Sequence, residues 1–182
     1  MASVVSQRSA LHEAARRYAG AGWRIFPIDP RGKQPLVEWK EHQSRPPTIA
    51  EVDAWWTTWP EANIGLACGH GIVVVDFDGF TLDQALAKLA GERVVLAPNA
   101  PIVQTGKGVH VYAFADREVR NRANVYRTPA GEPAVDVRGD GGYVILPPSI
   151  HPSGRPYTWA KPWVVPMPPA PDTLYALSLI HI

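Results

Sequence analysis

Ile72-Val73-Val74-Val75-Asp76-Phe77-Asp78 is the stretch that decides the reading of this chain. An unbroken run of β-branched residues predicts a buried strand, and the run ends on two carboxylates followed by Gly79. Side chains alternate along a strand, so Asp76 and Asp78 leave one face while Val75 and Phe77 leave the other. Two carboxylates side by side repel unless a cation lies between them. The pair is therefore a candidate site for Mg²⁺ or Mn²⁺, which favour oxygen ligands; a solvated strand end is the alternative.

The same alternation recurs further along the chain. Pro101–Thr105 and Val109–Phe114 read as strands joined by Gly106-Lys107-Gly108, a hairpin-type connection. His110 leaves the side opposite to Val109 and Val111. Ala134–Arg138 and Gly142–Leu146 read as a further pair around Gly139-Asp140-Gly141, with Asp136 and Arg138 on one face and Val135 and Val137 on the other. Each strand has an apolar and a polar face, and the polar faces hold Asp76, Asp78, His110, Asp136 and Arg138. Such a set is costly unless it converges on charged ligands. Carboxylates for metals, with His and Arg for phosphates, form the inventory of a nucleotidyl-transfer site.

Toward the N-terminus, Leu11, Ala15 and Tyr18 mark a helix over about Ser9–Ala19, and Trp23–Ile28 reads as a strand. Thr48 and Glu51 have capping-box spacing ahead of Val52, Trp56 and Trp59, and Thr81 and Gln84 repeat it ahead of Leu82, Leu86 and Leu89. Mixed helices and strands, the later strands in hairpins, predict an α/β (α+β) sheet domain. Of nineteen prolines, nine lie between Pro147 and Pro171, so the stretch from Pro162 to Pro171 reads as an extended strap. The expected organisation is a catalytic domain over 1–165, then a Pro-rich strap and unpatterned tail over 166–182.

Composition sets outer bounds. The 182 residues, 46% hydrophobic and 19% charged, predict a globular chain. No apolar run reaches the roughly 18 residues of a membrane span and the start lacks a signal-peptide core, so a cytoplasmic protein with no membrane partner is expected. One cysteine, Cys68, excludes an internal disulfide and a multi-cysteine zinc site. A net charge of +1 excludes a strongly basic nucleic-acid coat but not a local basic groove opposite metal-bound carboxylates.

The ordered set Val73-Val-Val-Asp-Phe-Asp78, Gly108-Val-His110 and Val135-Asp136 resembles the three motifs of the archaeo-eukaryotic primase superfamily, and in particular the bifunctional DNA primase/polymerase (prim-pol) N-terminal domain of plasmids, phages and integrated elements. Gly32-Lys33-x-Pro35 followed by Trp39, Asn63-Ile-Gly65, Thr105-Gly106, Asp136-Val-Arg-Gly-Asp-Gly-Gly-Tyr143 and His151–Trp159 extend the likeness over about residues 10–160. The resemblance implies a primase-polymerase fold: an RRM-like sheet with a catalytic face, beside an N-terminal α/β unit. It implies template-directed nucleotidyl transfer, with Asp76, Asp78 and Asp136 holding two divalent ions, Mg²⁺ or Mn²⁺. His110 and Arg138 would contact the incoming triphosphate, with Thr105, Lys107 and Lys33 as further nucleotide-binding candidates. Expected partners are single-stranded DNA template and primer, nucleoside triphosphates and a separate helicase, in replication of a mobile element. Arg117, Arg120, Arg122 and Arg127, read as a loop, are candidates for tracking a template backbone; a solvated surface is the alternative. One departure from the pattern is Gly108, which stands where relatives often have serine.

Two rivals bracket this reading. A haloacid dehalogenase-like phosphatase shares the Asp-x-Asp motif but expects Thr directly after the glycine, where Phe80 intervenes. A non-catalytic nucleotide- or nucleic-acid-binding module of the same fold would gain nothing from clustered carboxylates.

Overall fold

The computed structural model describes residues 4–127, 130 and 133–179. Nine strands and four α-helices are assigned among them, and the chain divides into two compact units, Met1–Ala67 with Tyr143–Tyr157 and Cys68–Gly142 with Thr158–Ile182. Among the described residues, no helix is long and apolar enough to cross a membrane.

Unit 1 contains α1 (Val4–Gly20), β1 (Ile25–Ile28), a 3₁₀ turn (Trp39–Gln43), α2 (Ile49–Thr58), β2 (Asn63–Ala67) and β8 (Tyr143–Leu146). Its sheet is antiparallel in the order β1-β2-β8. β1 and β2 are buried throughout, and Leu11, Ala15 and Tyr18 of α1 are among the core residues, as their helical spacing predicts. The Thr48–Glu51 capping box forms at α2 as expected, and Trp56 is buried with its indole N–H donated to the Ala62 carbonyl.

Unit 2 contains β3 (Ile72–Asp78), α3 (Leu82–Gly91), β4 (Ile102–Gln104), β5 (Gly108–Phe114), β6 (Arg122–Arg127), β7 (Pro133–Arg138), β9 (Thr158–Lys161) and α4 (Asp172–Leu179). Its six strands run in the order β6-β7-β3-β5-β4-β9, every pairing antiparallel. One face is apolar: Val73, Val75 and Phe77 of β3, Val109, Val111 and Ala113 of β5, and Val135 and Val137 of β7 cluster with Ala85 and Leu89 of α3 and Leu174 of α4. Burial of that face leaves the alternate side chains on the opposite one. The sheet is the α+β layer that the sequence predicts.

Three local readings are corrected. The strand Tyr143–Leu146 does not pair with its sequence neighbour β7; it joins β2 in unit 1, while β7 pairs with β3 and β6. Arg122 and Arg127, read as loop residues, lie on edge strand β6. The stretch read as an unpatterned tail forms α4, whose Leu174 is fully buried. The proline-rich segment ahead of it is extended and hydrogen-bonded to the end of β5: Phe114 donates to the Pro168 carbonyl, and Ala170 donates to that of Phe114. Residues 180–182 of that tail lie outside the described ones.

Candidate active site

Strand register builds the site. Asp76 stands opposite His110 on β5 and opposite Asp136 on β7, so one row across three neighbouring strands reads Asp136–Asp76–His110. Directly opposed residues share a face with their Cβ atoms about 5 Å apart. The two carboxylates are thus neighbours by backbone geometry, whatever their side-chain rotamers. Asp78, two residues further along β3, shares the face and is exposed at the strand end; its carboxylate makes no hydrogen bond or ion pair among the described residues.

Arg138 follows Asp136 by two residues and reaches back over the row. Its Nη2 donates to Asp136 Oδ2 at 2.5 Å and to Asp76 Oδ2 at 3.3 Å, so one guanidinium nitrogen serves both carboxylates. On the other side, His110 Nε2 lies 3.3 Å from Asp76 Oδ1. The hydroxyl of Tyr112, on the same face of β5, lies 3.4 Å from His110 Nδ1. Its two ring nitrogens are thus held between the Asp76 carboxylate and the Tyr112 hydroxyl, which fixes the plane of the imidazole. Asp136 accepts a further bond at 2.7 Å from the backbone N–H of Asn124 on β6.

These contacts favour the ionised form of Asp76. Burial pushes its carboxyl group up, but the charges and hydrogen bonds of His110 and Arg138 outweigh burial and hold it below the ordinary carboxylate range. The like-charge repulsion implied by the sequence is therefore offset from within the protein.

The hairpin between β4 and β5 carries two more candidates. Thr105 Oγ1 accepts from the backbone N–H groups of Lys107 and Gly108, which closes the turn, and Lys107 is exposed. Gly79 donates to the Lys107 carbonyl, so this turn lies against the end of β3 that carries Asp78. Gly108 has a steric cause: a Cβ there would lie 1.8 Å from the Phe77 carbonyl oxygen, so this backbone excludes a side chain at that position. Lys33 belongs to unit 1, on an exposed loop whose backbone carbonyl accepts from the Tyr143 hydroxyl. Unit 2 therefore gathers Asp76, Asp78, Asp136, His110 and Arg138 on one face, with Thr105 and Lys107 on the adjoining turn.

A family defined as the N-terminal domain of bifunctional DNA primase/polymerase matches residues 15–173. The chain belongs to this prim-pol family. A search of curated proteins finds no match. The family's reaction class is primase/polymerase-type nucleotidyl transfer, which implies binding of nucleic acid and nucleotides and favours this reading over the phosphatase.

Metal dependence is typical of prim-pol domains, and the donor set fits a hard divalent cation. Asp76 and Asp136 already converge on a single positive centre, Asp78 adds an unengaged carboxylate on the same face, and every candidate ligand atom is an oxygen. A second His/carboxylate group, Glu41, His42 and Glu51 of unit 1, has donor atoms close enough to hold an ion. There Arg45 pairs with both glutamates and Glu51 also closes the α2 capping box, so the network has its own cation.

Tyr112 and Trp159 were not singled out as site residues in the sequence. Tyr112 is fully buried and its ring lies 5.5 Å from that of Trp159, which backs the His110 contact. Alternation placed Tyr112 beside His110, but nothing local marked its hydroxyl as the partner. Arg117 pairs with Asp116 and Asp172 and covers the Tyr175 ring, while Arg120 pairs with Glu118. Both serve local surface contacts in this structure.

Proposed function

We propose that this chain is a template-directed nucleotidyltransferase, a DNA primase and/or DNA polymerase, and that the Asp136–Asp76–His110 row with Asp78 and Arg138 is its active site. The observation that carries this reading is the strand register, which stacks two carboxylates, a histidine and an arginine on one sheet face within a prim-pol chain. Asp76, Asp78 and Asp136 would hold two divalent ions, Mg²⁺ or Mn²⁺. When bound, such ions supply charge neutralisation of the triphosphate and activation of the primer 3′-hydroxyl.

The protein's own residues do the rest of the work in this proposal. His110, held by Asp76 and Tyr112, presents a fixed imidazole edge to the phosphates of the incoming nucleotide. Arg138 offers a guanidinium fork suited to phosphate oxygens. The exposed Lys107 adds a point charge beside Asp78, with the Thr105 hydroxyl ordering the turn that carries it; Lys33 is a further candidate for the nucleotide. Single-stranded template and primer are the proposed partners, a separate helicase a further one, and replication of a plasmid, phage or other mobile element the proposed setting. The test is incubation with single-stranded template and each nucleotide set, with and without primer, in Mg²⁺ and in Mn²⁺. Template-dependent product supports the reading, and its absence in every combination overturns it.

A further inference from the structure

We infer that Arg138 is an internal counter-ion which a divalent cation must displace from Asp76 and Asp136, so that metal entry releases the same guanidinium for phosphate. This rests on the active-site reading above and adds an order of events to it. The argument is geometric. One nitrogen of Arg138 lies 2.5 Å from an oxygen of Asp136 and 3.3 Å from an oxygen of Asp76. A cation bridging these carboxylates would take the place of that nitrogen.

The rest of the guanidinium shows that this seat is held by charge more than by a full set of hydrogen bonds. Its Nε is buried and has no hydrogen-bond partner among the described residues. A guanidinium with a buried N–H unmet is incompletely satisfied where it rests, and moving away costs it less than leaving a saturated site. The arginine side chain is also 27% exposed, so an exit toward solvent is open, whereas His110, at 7%, is enclosed. The two phosphate-binding candidates therefore differ. His110 is fixed in place, and Arg138 is mobile between two anionic partners, the carboxylates and the triphosphate.

The consequence is competition. Removing the guanidinium should strengthen metal binding, although a charged residue of the site has been lost. The experiment is calorimetric titration of Mn²⁺ alone, without nucleotide or DNA, into the wild-type protein and Arg138→Gln, with circular dichroism to check folding. The expected result is about tenfold tighter Mn²⁺ binding in the variant, the scale of one hydrogen bond to a charged group. Metal-free Arg138→Gln should also melt below the wild type, and Mn²⁺ should raise its melting temperature more. Equal or weaker Mn²⁺ affinity in a folded variant overturns the displacement while leaving the metal site standing. Failure of Mn²⁺ to bind either protein overturns the metal site and the displacement together. If Arg138→Gln does not fold, Arg138→Met, which removes the charge but keeps the aliphatic stem, should bind Mn²⁺ measurably tighter than wild type; unchanged affinity there overturns the inference.

Discussion

The surface of unit 1 and the central strand of unit 2 handle charge in different ways. In unit 1 three acidic groups have basic partners brought from other positions: Glu61 pairs with Arg8, Asp53 with Arg16 and His12, and Glu51 with Arg45. These pairs lie on or near the surface, and the strands β1 and β2 beneath them are buried and uncharged at every position. In unit 2 the central strand itself carries acids, and register sets Asp76 directly against Asp136. One arginine then serves two carboxylates. Acids of the first kind are neutralised at the surface, and the proposed function assigns the second arrangement to binding charged ligands.

The steepest difference should come from glycine. Gly108→Ser in unit 2 forces a Cβ against the Phe77 carbonyl, so β3 and β5 must separate. The expected loss is about 3 kcal/mol or more by denaturant unfolding. In unit 1, Gly20 at the end of α1 has nothing within 4 Å of an added Cβ, so Gly20→Ala should shift stability by no more than about 1 kcal/mol. A tolerated serine at 108 would break the steric account of this hairpin.

Next in size is His110→Ala. A hydrogen bond to a charged group contributes about 1.5–3 kcal/mol, so affinity for a nucleoside triphosphate should fall about tenfold or more. Mn²⁺ affinity without nucleotide should change far less. Titrations of both ligands on one variant check this; loss of metal affinity with nucleotide binding intact would reassign His110 to holding Asp76.

The smallest effect sharpens the structural side of the comparison. Arg45 first, and then Thr48, hold the Glu51 carboxyl down at about 2, against an ordinary value of 4.5. A depressed carboxylate adds stability that is fully present above about pH 4.5 and is lost as pH falls toward 2. Glu51→Gln should therefore cost about 1 kcal/mol at neutral pH, as for a lost helix cap. It should also flatten the acid limb of the stability curve between those pH values. Thermal melts of both proteins across that window measure it, and parallel acid limbs would contradict the assignment.

How much of this was legible in the sequence depends on the range of the interaction. Local signals held: both capping boxes, the β4–β5 hairpin, and the alternation that sets Asp76, His110, Asp136 and Arg138 apart from the valines. Pairing between distant segments was not legible. Gly139-Asp140-Gly141-Gly142 has turn composition, and composition alone does not say which strand the chain joins next; β8 pairs with β2, more than seventy residues away in sequence. β2 is buried on both faces, so Asn63-Ile-Gly-Leu-Ala67 lacks the alternation that marks a strand. The site was legible as an inventory, but the shared arginine was not. That contact depends on the register of β3 against β7, which no residue spacing within one strand encodes.

The central claim is that the opposed carboxylates of unit 2 serve catalysis while the paired acids of unit 1 serve the fold. Its most direct test is one nucleotide-incorporation assay, with Mn²⁺, template and primer, on Asp76→Asn, Asp136→Asn and Glu51→Gln, each with its thermal melt. The account predicts that both aspartate variants lose at least roughly a hundredfold in incorporation, as expected when transition-state charge stabilisation is removed. They should stay folded, with a stability loss of no more than about 2 kcal/mol, because Arg138 keeps one carboxylate partner. Glu51→Gln should incorporate at the wild-type rate at temperatures where it is folded. Full activity in either aspartate variant would contradict the account.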